Sequence, residues 1–283
     1  MWKWIKRVVL ALLAVLALLI AYGGYQYYMI FGGGGATFDS QPPALPAELP
    51  QPAILIFSKT NAYRHDSIPA GNAALAAIAR RNGWGAFVTE NAAVFNPAQL
   101  ARFQVVVWNN VSGEVLLPAQ QAAFRTFIEQ GGGFVGLHAA GDSSHTWGWY
   151  TREILGGAHF IGHPLAPQFQ QAAVQVEDRL HPATHTLPPR WVRTDEWYSF
   201  AKSPRPNVHV LATLDERTYS PDGSFVSGDL RMGADHPIAW CRTVGKGRVL
   251  YSALGHTEAS YREAAHLRML EGAIAWAANR VPG

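Results

Sequence analysis

Short apolar runs alternate with helical patterns along most of the chain. Residues 53–57, 104–108 and 134–137 are apolar at nearly every position, which predicts strands covered on both faces of a sheet. Between them, residues 67–83 and 118–130 carry apolar side chains three and four positions apart, which predicts amphipathic helices. Strands that alternate with helices indicate βαβ units, so we expect an α/β domain with a mainly parallel sheet.

The pattern changes after the first half of this domain. Residues 173–210 read as short alternating segments with turn residues, and they predict inserted antiparallel strands. We expect one domain over residues 53–283, because about 230 residues suit a single core. Further elements are predicted at 86–88 (strand), from the Asn96-Pro97 pair onward (a short helix capped by Asn96), at 238–241 and 248–252 (strands) and at 262–279 (closing helix).

A long apolar run precedes the domain. Residues 8–31 carry no charged side chain, and about 20 such residues suffice to cross the hydrocarbon core of a membrane. Lys3, Lys6 and Arg7 precede the run and favour a cytoplasmic N-terminus. We expect residues 1–31 to form a single-pass signal anchor in the inner membrane, with the domain in the periplasm. The alternative is a cleaved signal peptide, which would export the domain.

Residues 32–52 join the apolar run to the domain. They contain four consecutive glycines and five prolines, which predict an extended and semi-rigid linker. We expect this linker to hold the domain away from the bilayer.

Composition and charge exclude several classes of protein. The chain is 48% hydrophobic and only 15% charged, so it can build a sizeable core and is not disordered. Three of the 23 basic residues lie in the N-terminal segment, and the remaining basic residues balance the 20 acidic ones. A neutral domain lacks the electrostatic footprint of nucleic-acid binding. The lone Cys241, in an apolar run, excludes an internal disulfide and a cysteine-based metal site and is expected to be buried.

Candidate chemistry follows the predicted strands. Ligands gather at the carboxyl ends of the strands in an open parallel sheet, and four polar segments lie at such ends. These segments supply histidines and adjacent carboxylates, which suit a divalent ion such as zinc. The spacing shows no tight motif such as H-E-x-x-H, and each histidine alone could equally be a hydrogen-bonded structural group. The predicted metal ligands are His65, His138, Glu196 and His256.

We expect catalytic and substrate-binding residues in the same segments. His138 stands at a strand-to-loop corner, where an imidazole can act as a base or as a metal ligand. The predicted catalytic residues are His138, Asp142, Asp195 and Glu196, with Asp142 or Asp195 moving a proton. The predicted substrate-binding residues are Tyr63, Arg64, Trp147, Trp149, Tyr198 and Thr257.

Several aromatic and histidine residues have competing interpretations. Trp147 and Trp149 could stack on a sugar ring, and packing in the core is the simpler alternative. His181 and His185 lie in a proline-rich turn, so we expect them at the surface. The sequence does not decide the role of His163.

Five motifs carry a resemblance to a known family. They are YRHDSI at 63–68, GGGFVGLHAAGD at 131–142, HPATHTLPPRWVRTDEWYSF at 181–200, DHPIAWC at 235–241 and LGHT at 254–257. In this order the set resembles the ThuA-like (trehalose utilisation) family, whose fold is similar to that of class I glutamine amidotransferases. The resemblance covers residues 53–280 and implies a flavodoxin-like sheet and a role in carbohydrate catabolism, on a small sugar or keto-sugar. Amidotransferases carry cysteine at the corner where this chain has Leu137-His138-Ala139, so glutaminase activity is not expected.

Two classes of function follow from these observations. The first is an envelope-anchored enzyme that hydrolyses or isomerises a small carbohydrate with the help of a metal ion. The second is a non-catalytic module that binds a sugar, or a partner protein for which the histidines serve only packing. Its expected partners are a small carbohydrate and, through the N-terminal helix, the membrane; nucleic acid is not expected.

Overall fold

The computed structural model describes residues 2–31, 35–222 and 228–279. Its helices are α1 (Trp2–Phe31), α2 (Ile68–Arg81), α3 (Pro97–Leu100), α4 (Pro118–Glu129) and α5 (Ala264–Ala277). Its strands are β1 (Ala53–Phe57), β2 (Gly85–Thr89), β3 (Val105–Asn109), β4 (Gly133–Leu137), β5 (Phe160–Gly162), β6 (Phe169–Val176), β7 (Arg190–Glu196), β8 (Ser199–Phe200), β9 (His209–Asp215), β10 (Pro237–Val244) and β11 (Gly247–Ser252).

A nine-stranded sheet organises the domain, in the order β2-β1-β3-β4-β11-β10-β9-β6-β7. The strands from β2 to β11 pair in parallel, and the strands from β11 to β7 pair antiparallel. The predicted α/β fold with inserted antiparallel strands is therefore confirmed. Because β7 runs in the same direction as β11, its carboxyl end lies at the same edge of the sheet as those of β1, β4 and β11.

Helices cover both faces of the parallel half. Strands β1, β3 and β4 are buried at every position, as continuous apolar runs predict. On one face Trp108 stacks on Phe124 of α4, with ring centroids 5.6 Å apart. Helices α2 and α5 contact each other on the sheet. These layers fix the carboxyl ends of the strands as a rigid edge from which the candidate site is built.

Two local expectations differ from the structure. Ser67 precedes α2 but does not cap it through its side chain; its hydroxyl donates to the Gly255 carbonyl 188 residues later. The surface placement of His181 is wrong, because the side chain packs beside Trp276 and lies 3.7 Å from Cys241 Sγ. His185 is exposed, as expected, and Cys241 is buried.

The N-terminal helix is long and apolar. Trp2–Tyr25 forms a stretch with a mean hydropathy of 2.4 that is not buried against the rest of the chain. By length and composition it could span a membrane or serve as a signal sequence.

The described part of the proline-rich segment packs against the domain, which the sequence did not predict. From Thr37 onward it lies against the domain; residues 32–34 are outside the described part of the chain. Asp39 accepts hydrogen bonds from Lys59 Nζ at 2.8 Å and from the Ala92 amide at 2.9 Å. Leu45 and Leu49 pack against the core. Proline-rich backbone cannot pair its carbonyls internally, so side chains of the domain, such as Gln99 on Pro43, satisfy them.

We expect Asp39→Ala to lower the free energy of unfolding by about 1–2 kcal/mol, because it leaves the half-buried Lys59 ammonium and the Ala92 amide without their acceptor. Urea unfolding in detergent measures the change. Glu48→Ala, at an exposed position of the same segment, is the matched control and is expected to change stability by less than about 0.5 kcal/mol. Equal effects of the two variants would contradict the docking of this segment.

Candidate metal centre

Four chain segments bring three imidazoles and a carboxylate to one point at the carboxyl edge of the sheet. His65 follows β1, His138 follows β4, Glu196 ends β7 and His256 follows β11. One ligand atom from each lies within 4.8 Å of the others. We refer to these four residues as the His/Glu cluster. They are the four residues that the strand-end argument selected from the sequence.

The distances within the His/Glu cluster fit a small divalent ion. His138 Nε2 lies 3.1 Å from His256 Nδ1, and both lie close to Glu196 Oε2, at 3.2 Å and 3.0 Å. In a tetrahedral zinc site with bonds of about 2 Å, neighbouring ligand atoms are about 3.3 Å apart. The triangle formed by these three atoms therefore has about the size of one face of a zinc coordination tetrahedron.

The backbone at His138 determines which nitrogen faces the cluster. This residue has φ +46°, a left-handed conformation at the sharp corner after β4. Its Nδ1 lies 2.8 Å from the Ala253 carbonyl oxygen, which can only accept, so Nδ1 carries the hydrogen. A neutral His138 then directs the Nε2 lone pair at Glu196 Oε2, another acceptor. Two facing acceptors require a cation between them, either a proton or a metal ion.

Burial keeps His65 neutral. Desolvation, together with the positive charges that His138 and His256 can carry, lowers the pKa of His65 to about 2. Its Nδ1 is buried and has no hydrogen-bond partner. An unpaired buried nitrogen is unusual for a structural histidine and fits a nitrogen that coordinates a metal ion.

The charge of Glu196 balances the cluster. Burial disfavours ionisation of Glu196, but hydrogen bonds from His138 and His256 lower its pKa well below the ordinary value. Burial likewise opposes a charge on His138, and the bond to Glu196 raises the pKa of His138 overall. The cluster is therefore built around one permanent negative charge that faces neutral or protonated imidazoles.

Two further residues orient the Glu196 carboxylate. His163 Nδ1 lies 3.1 Å from Oε1, and Gln168 Nε2 donates to the same oxygen at 2.5 Å. These contacts leave Oε2 directed at the cluster, the usual arrangement for a metal-bound carboxylate. The sequence left His163 undecided and gave no signal for Gln168, because both lie on an irregular loop.

Asp195 holds the backbone of the site from behind. Its buried carboxylate accepts hydrogen bonds from the amides of Gly255 and His256, at 2.9 Å and 3.1 Å. Arg193 and Ser260 donate to it as well. These donors occupy both oxygens of the carboxylate. The contacts therefore favour a positioning role for Asp195 over the proton transfer expected from the sequence.

The predicted binding residues fall into two groups. Tyr63 and Tyr198 lie against the cluster: the Tyr63 ring is 4.8 Å from that of His65, and the Tyr198 ring is 4.2 Å from that of His138. Thr257 follows His256 and caps a short turn through Ser260. Tyr63 is half exposed and Tyr198 is buried, so Tyr63 is the one that a ligand can contact.

The other predicted binding residues have contacts elsewhere. Arg64 forms an exposed ion pair with Glu90. Trp147 and Trp149 stack on each other, 5.0 Å apart, and pack beside Phe124. These contacts agree with the core-packing alternative for the two tryptophans.

A cavity of about 620 Å³ adjoins the cluster. Tyr63 separates it from His65, and Phe160 separates it from Tyr198. Asp142 lies in its wall, 2.7 Å from His145, and this bond raises the pKa of His145. The volume falls within the range of about 300–1,000 Å³ that is typical of small-molecule sites. The polar lining is Asn61, Glu114, Asp142, His145 and His159.

Comparison with known proteins identifies the family of the domain. The model of the ThuA family, described as trehalose utilisation, matches residues 53–277. No curated protein matches the chain. A ThuA-like protein of Bacteroides uniformis is 26% identical with a TM-score of 0.69, over 84% of this chain and 95% of that chain. A ThuA-like protein of Parabacteroides merdae is 19% identical with a TM-score of 0.62, over 81% of this chain and 90% of that chain, which shows the fold.

Proposed function

The chain belongs to the ThuA (trehalose utilisation) family, and on that premise we propose that it is an envelope-anchored, metal-assisted enzyme of carbohydrate catabolism. The observation that carries the proposal is the convergence of three imidazole nitrogens and one carboxylate oxygen within 4.8 Å. Helix α1 would anchor the enzyme in the inner membrane with the domain in the periplasm; cleavage of a signal peptide would release it.

The donor set favours zinc or a similar divalent ion, held by the His/Glu cluster. Such an ion supplies a Lewis acid that polarises a carbonyl or activates water. The residues of the chain then have distinct tasks. Glu196 neutralises charge, His163 and Gln168 orient it, and the half-exposed Tyr63 separates the cluster from the cavity.

Proton transfer would come from the cavity side. Asp142 and His145 form a hydrogen-bonded pair that is partly open to solvent, so they can exchange a proton with a ligand in the cavity. The lining is mixed: apolar side chains alternate with polar ones that carry hydrogen-bond donors and acceptors, which suits the apolar face and the hydroxyl groups of a sugar. We propose hydrolysis or isomerisation of a small sugar or keto-sugar as the reaction.

The alternative is a non-catalytic module that binds a sugar or a partner protein. His138 and Glu196 approach each other closely enough to share a proton. A shared proton in place of a metal ion would favour the non-catalytic module. Metal content distinguishes the two, because a proton-bridged pair leaves no ion in the purified protein.

Chelation tests the proposed function. We expect the purified full chain in detergent to contain about one divalent ion, and a chelator to reduce turnover of disaccharides and keto-sugars by at least about a hundredfold, with recovery on adding zinc. Elemental analysis and a product assay measure the two quantities. Turnover that survives complete metal removal would contradict metal assistance, and sugar binding without turnover would favour the module.

A further inference from the structure

Exposed apolar side chains are concentrated around one opening of the molecule. Outside α1, the described chain has eight exposed large hydrophobic residues, and Val88, Leu180 and Val192 are three of them. We call the other five the apolar rim: Phe38, Tyr63, Ile161, Leu165 and Phe169.

Residues of the apolar rim lie in the cavity wall, against the His/Glu cluster or close to them in the chain. Tyr63 and Ile161 line the cavity itself. The Phe169 ring lies 5.0 Å from that of His256. Leu165 lies in the loop between His163 and Gln168, the two residues that contact Glu196, and Phe38 is two residues beyond Ala36 in the cavity wall. Exposed apolar side chains beside a cavity that also carries polar groups are typical of an interaction surface.

The course of the chain places this surface near the end of the apolar helix. Helix α1 ends at Phe31, and Ala36 already lines the cavity. Five residues span at most about 18 Å. The segment after Ala36 is attached to the domain through Thr37 and Asp39, so it cannot extend to let the domain move away. If α1 spans the membrane, the cavity wall at Ala36 lies within about 18 Å of the end of α1.

We propose that the apolar rim rests on the membrane surface and that the cavity takes the sugar headgroup of a glycolipid. The proposal names the substrate class of the proposed enzyme and therefore rests on that function. Aromatic and branched aliphatic side chains partition into the interfacial region of a bilayer, whereas a freely soluble sugar needs no apolar rim. A lipid-borne sugar would reach the cavity at the depth where the rim inserts.

Probe depth tests the membrane contact. The full chain carrying Leu165→Cys, labelled with an environment-sensitive dye, is reconstituted into phosphatidylcholine vesicles that contain brominated lipid. Leu180→Cys is the matched control, because Leu180 is exposed in the turn beyond the far end of β6, whereas Leu165 precedes its start. Cys241 does not compete for the label, because it is buried and desolvation raises its pKa to about 12. We expect quenching at least twofold stronger at position 165; equal quenching at the two positions would overturn the proposal.

A second measurement tests the substrate class. The dye on Ile161→Cys, in the cavity wall, reports occupancy. Glucosyl diacylglycerol in the vesicles is expected to shift its emission, whereas methyl glucoside at the same total concentration is not. A shift with the soluble glycoside alone, or no shift with either compound, would overturn the glycolipid assignment.

The outcomes separate this inference from the function on which it rests. A chain that binds zinc and converts a soluble sugar, with position 165 outside the bilayer, retains the proposed function and loses the inference. A chain with position 165 in the bilayer and an emission shift with the glycolipid, but without metal or turnover, supports the inference and loses the metal-assisted enzyme.

Discussion

Replacing His138 by alanine is expected to lower the metal content from about one ion per chain to less than about a tenth, and turnover by about a thousandfold. His138 Nε2 lies within 3.2 Å of the facing atoms of both His256 and Glu196, so its loss removes one corner of the coordination tetrahedron. Three protein ligands then remain instead of four, and Glu196 Oε2 loses one of the two imidazole nitrogens that lie within 3.2 Å of it, so we expect the ion to be held much more weakly.

The backbone at this position requires a second variant. His138 has φ +46°, which alanine adopts at a cost and glycine does not. His138→Gly therefore removes the imidazole without adding backbone strain, and we expect the same loss of metal. His185→Ala, at an exposed histidine, is the control and is expected to change neither quantity.

Elemental analysis and steady-state turnover on the same preparations check this expectation. Full metal content in both His138 variants would show that the cluster is not the metal site. Equal weakening of sugar binding and of turnover, with metal absent from the wild type, would favour the non-catalytic module.

Asp195→Asn is expected to lower the free energy of unfolding by about 3 kcal/mol or more, because it removes the buried charge that faces the Arg193 guanidinium and leaves only the partly exposed Glu263, 3.4 Å away, as its acidic partner. Asparagine offers one oxygen in place of two, so one of the Gly255 and His256 amides would face an NH2 group instead of an acceptor, and the segment that carries His256 would lose support. We therefore also expect metal affinity to fall about tenfold or more.

The same residue predicts a pH dependence. Burial opposes ionisation of Asp195, but the Arg193 charge and the Gly255 amide lower its pKa overall. A carboxylate with a lowered pKa contributes stability that is present above its unfolded pKa of about 3.9 and is lost as the pH falls through the lower folded value. We expect the wild type to lose stability below about pH 4 more steeply than Asp195→Asn.

Urea unfolding at several pH values, in detergent, measures both effects. Asp222→Asn is the matched control, because Asp222 forms an ion pair with Arg231 whose side chains are 65% and 58% exposed. Exposed pairs contribute at most about 1 kcal/mol, so a small change is expected there. A loss of less than about 1 kcal/mol in Asp195→Asn would contradict the positioning role.

Local patterns predicted the elements that form the edge of the site. Strand β1 has the predicted bounds of residues 53–57, and β4 begins one residue before the prediction. Asn96 accepts a hydrogen bond from the Gln99 amide at the start of α3, as the Asn-Pro pair indicates. Apolar runs and capping residues act over a few positions, so the sequence alone displays them.

The partners of individual side chains were less predictable. The docked proline-rich segment depends on Lys59 and Gln99, whose availability no local pattern shows. The burial of His181 depends on Trp276 in α5, almost a hundred residues later. Likewise, Asp195 was expected to move a proton, and its contacts with Gly255 and Ser260 indicate positioning.

The sequence by itself determined which polar segments follow strands. From this came the prediction that His65, His138, Glu196 and His256 share one edge of the sheet. That inference works for the three histidines because the carboxyl ends of parallel strands lie at the same edge of a sheet. Glu196 reaches this edge because β7 runs in the same direction as β11. Only the tertiary structure decided which atoms face one another, which carboxylate is saturated by protein donors, and where the exposed apolar side chains gather. These properties depend on contacts between residues far apart in the chain, and no periodicity in the sequence records them.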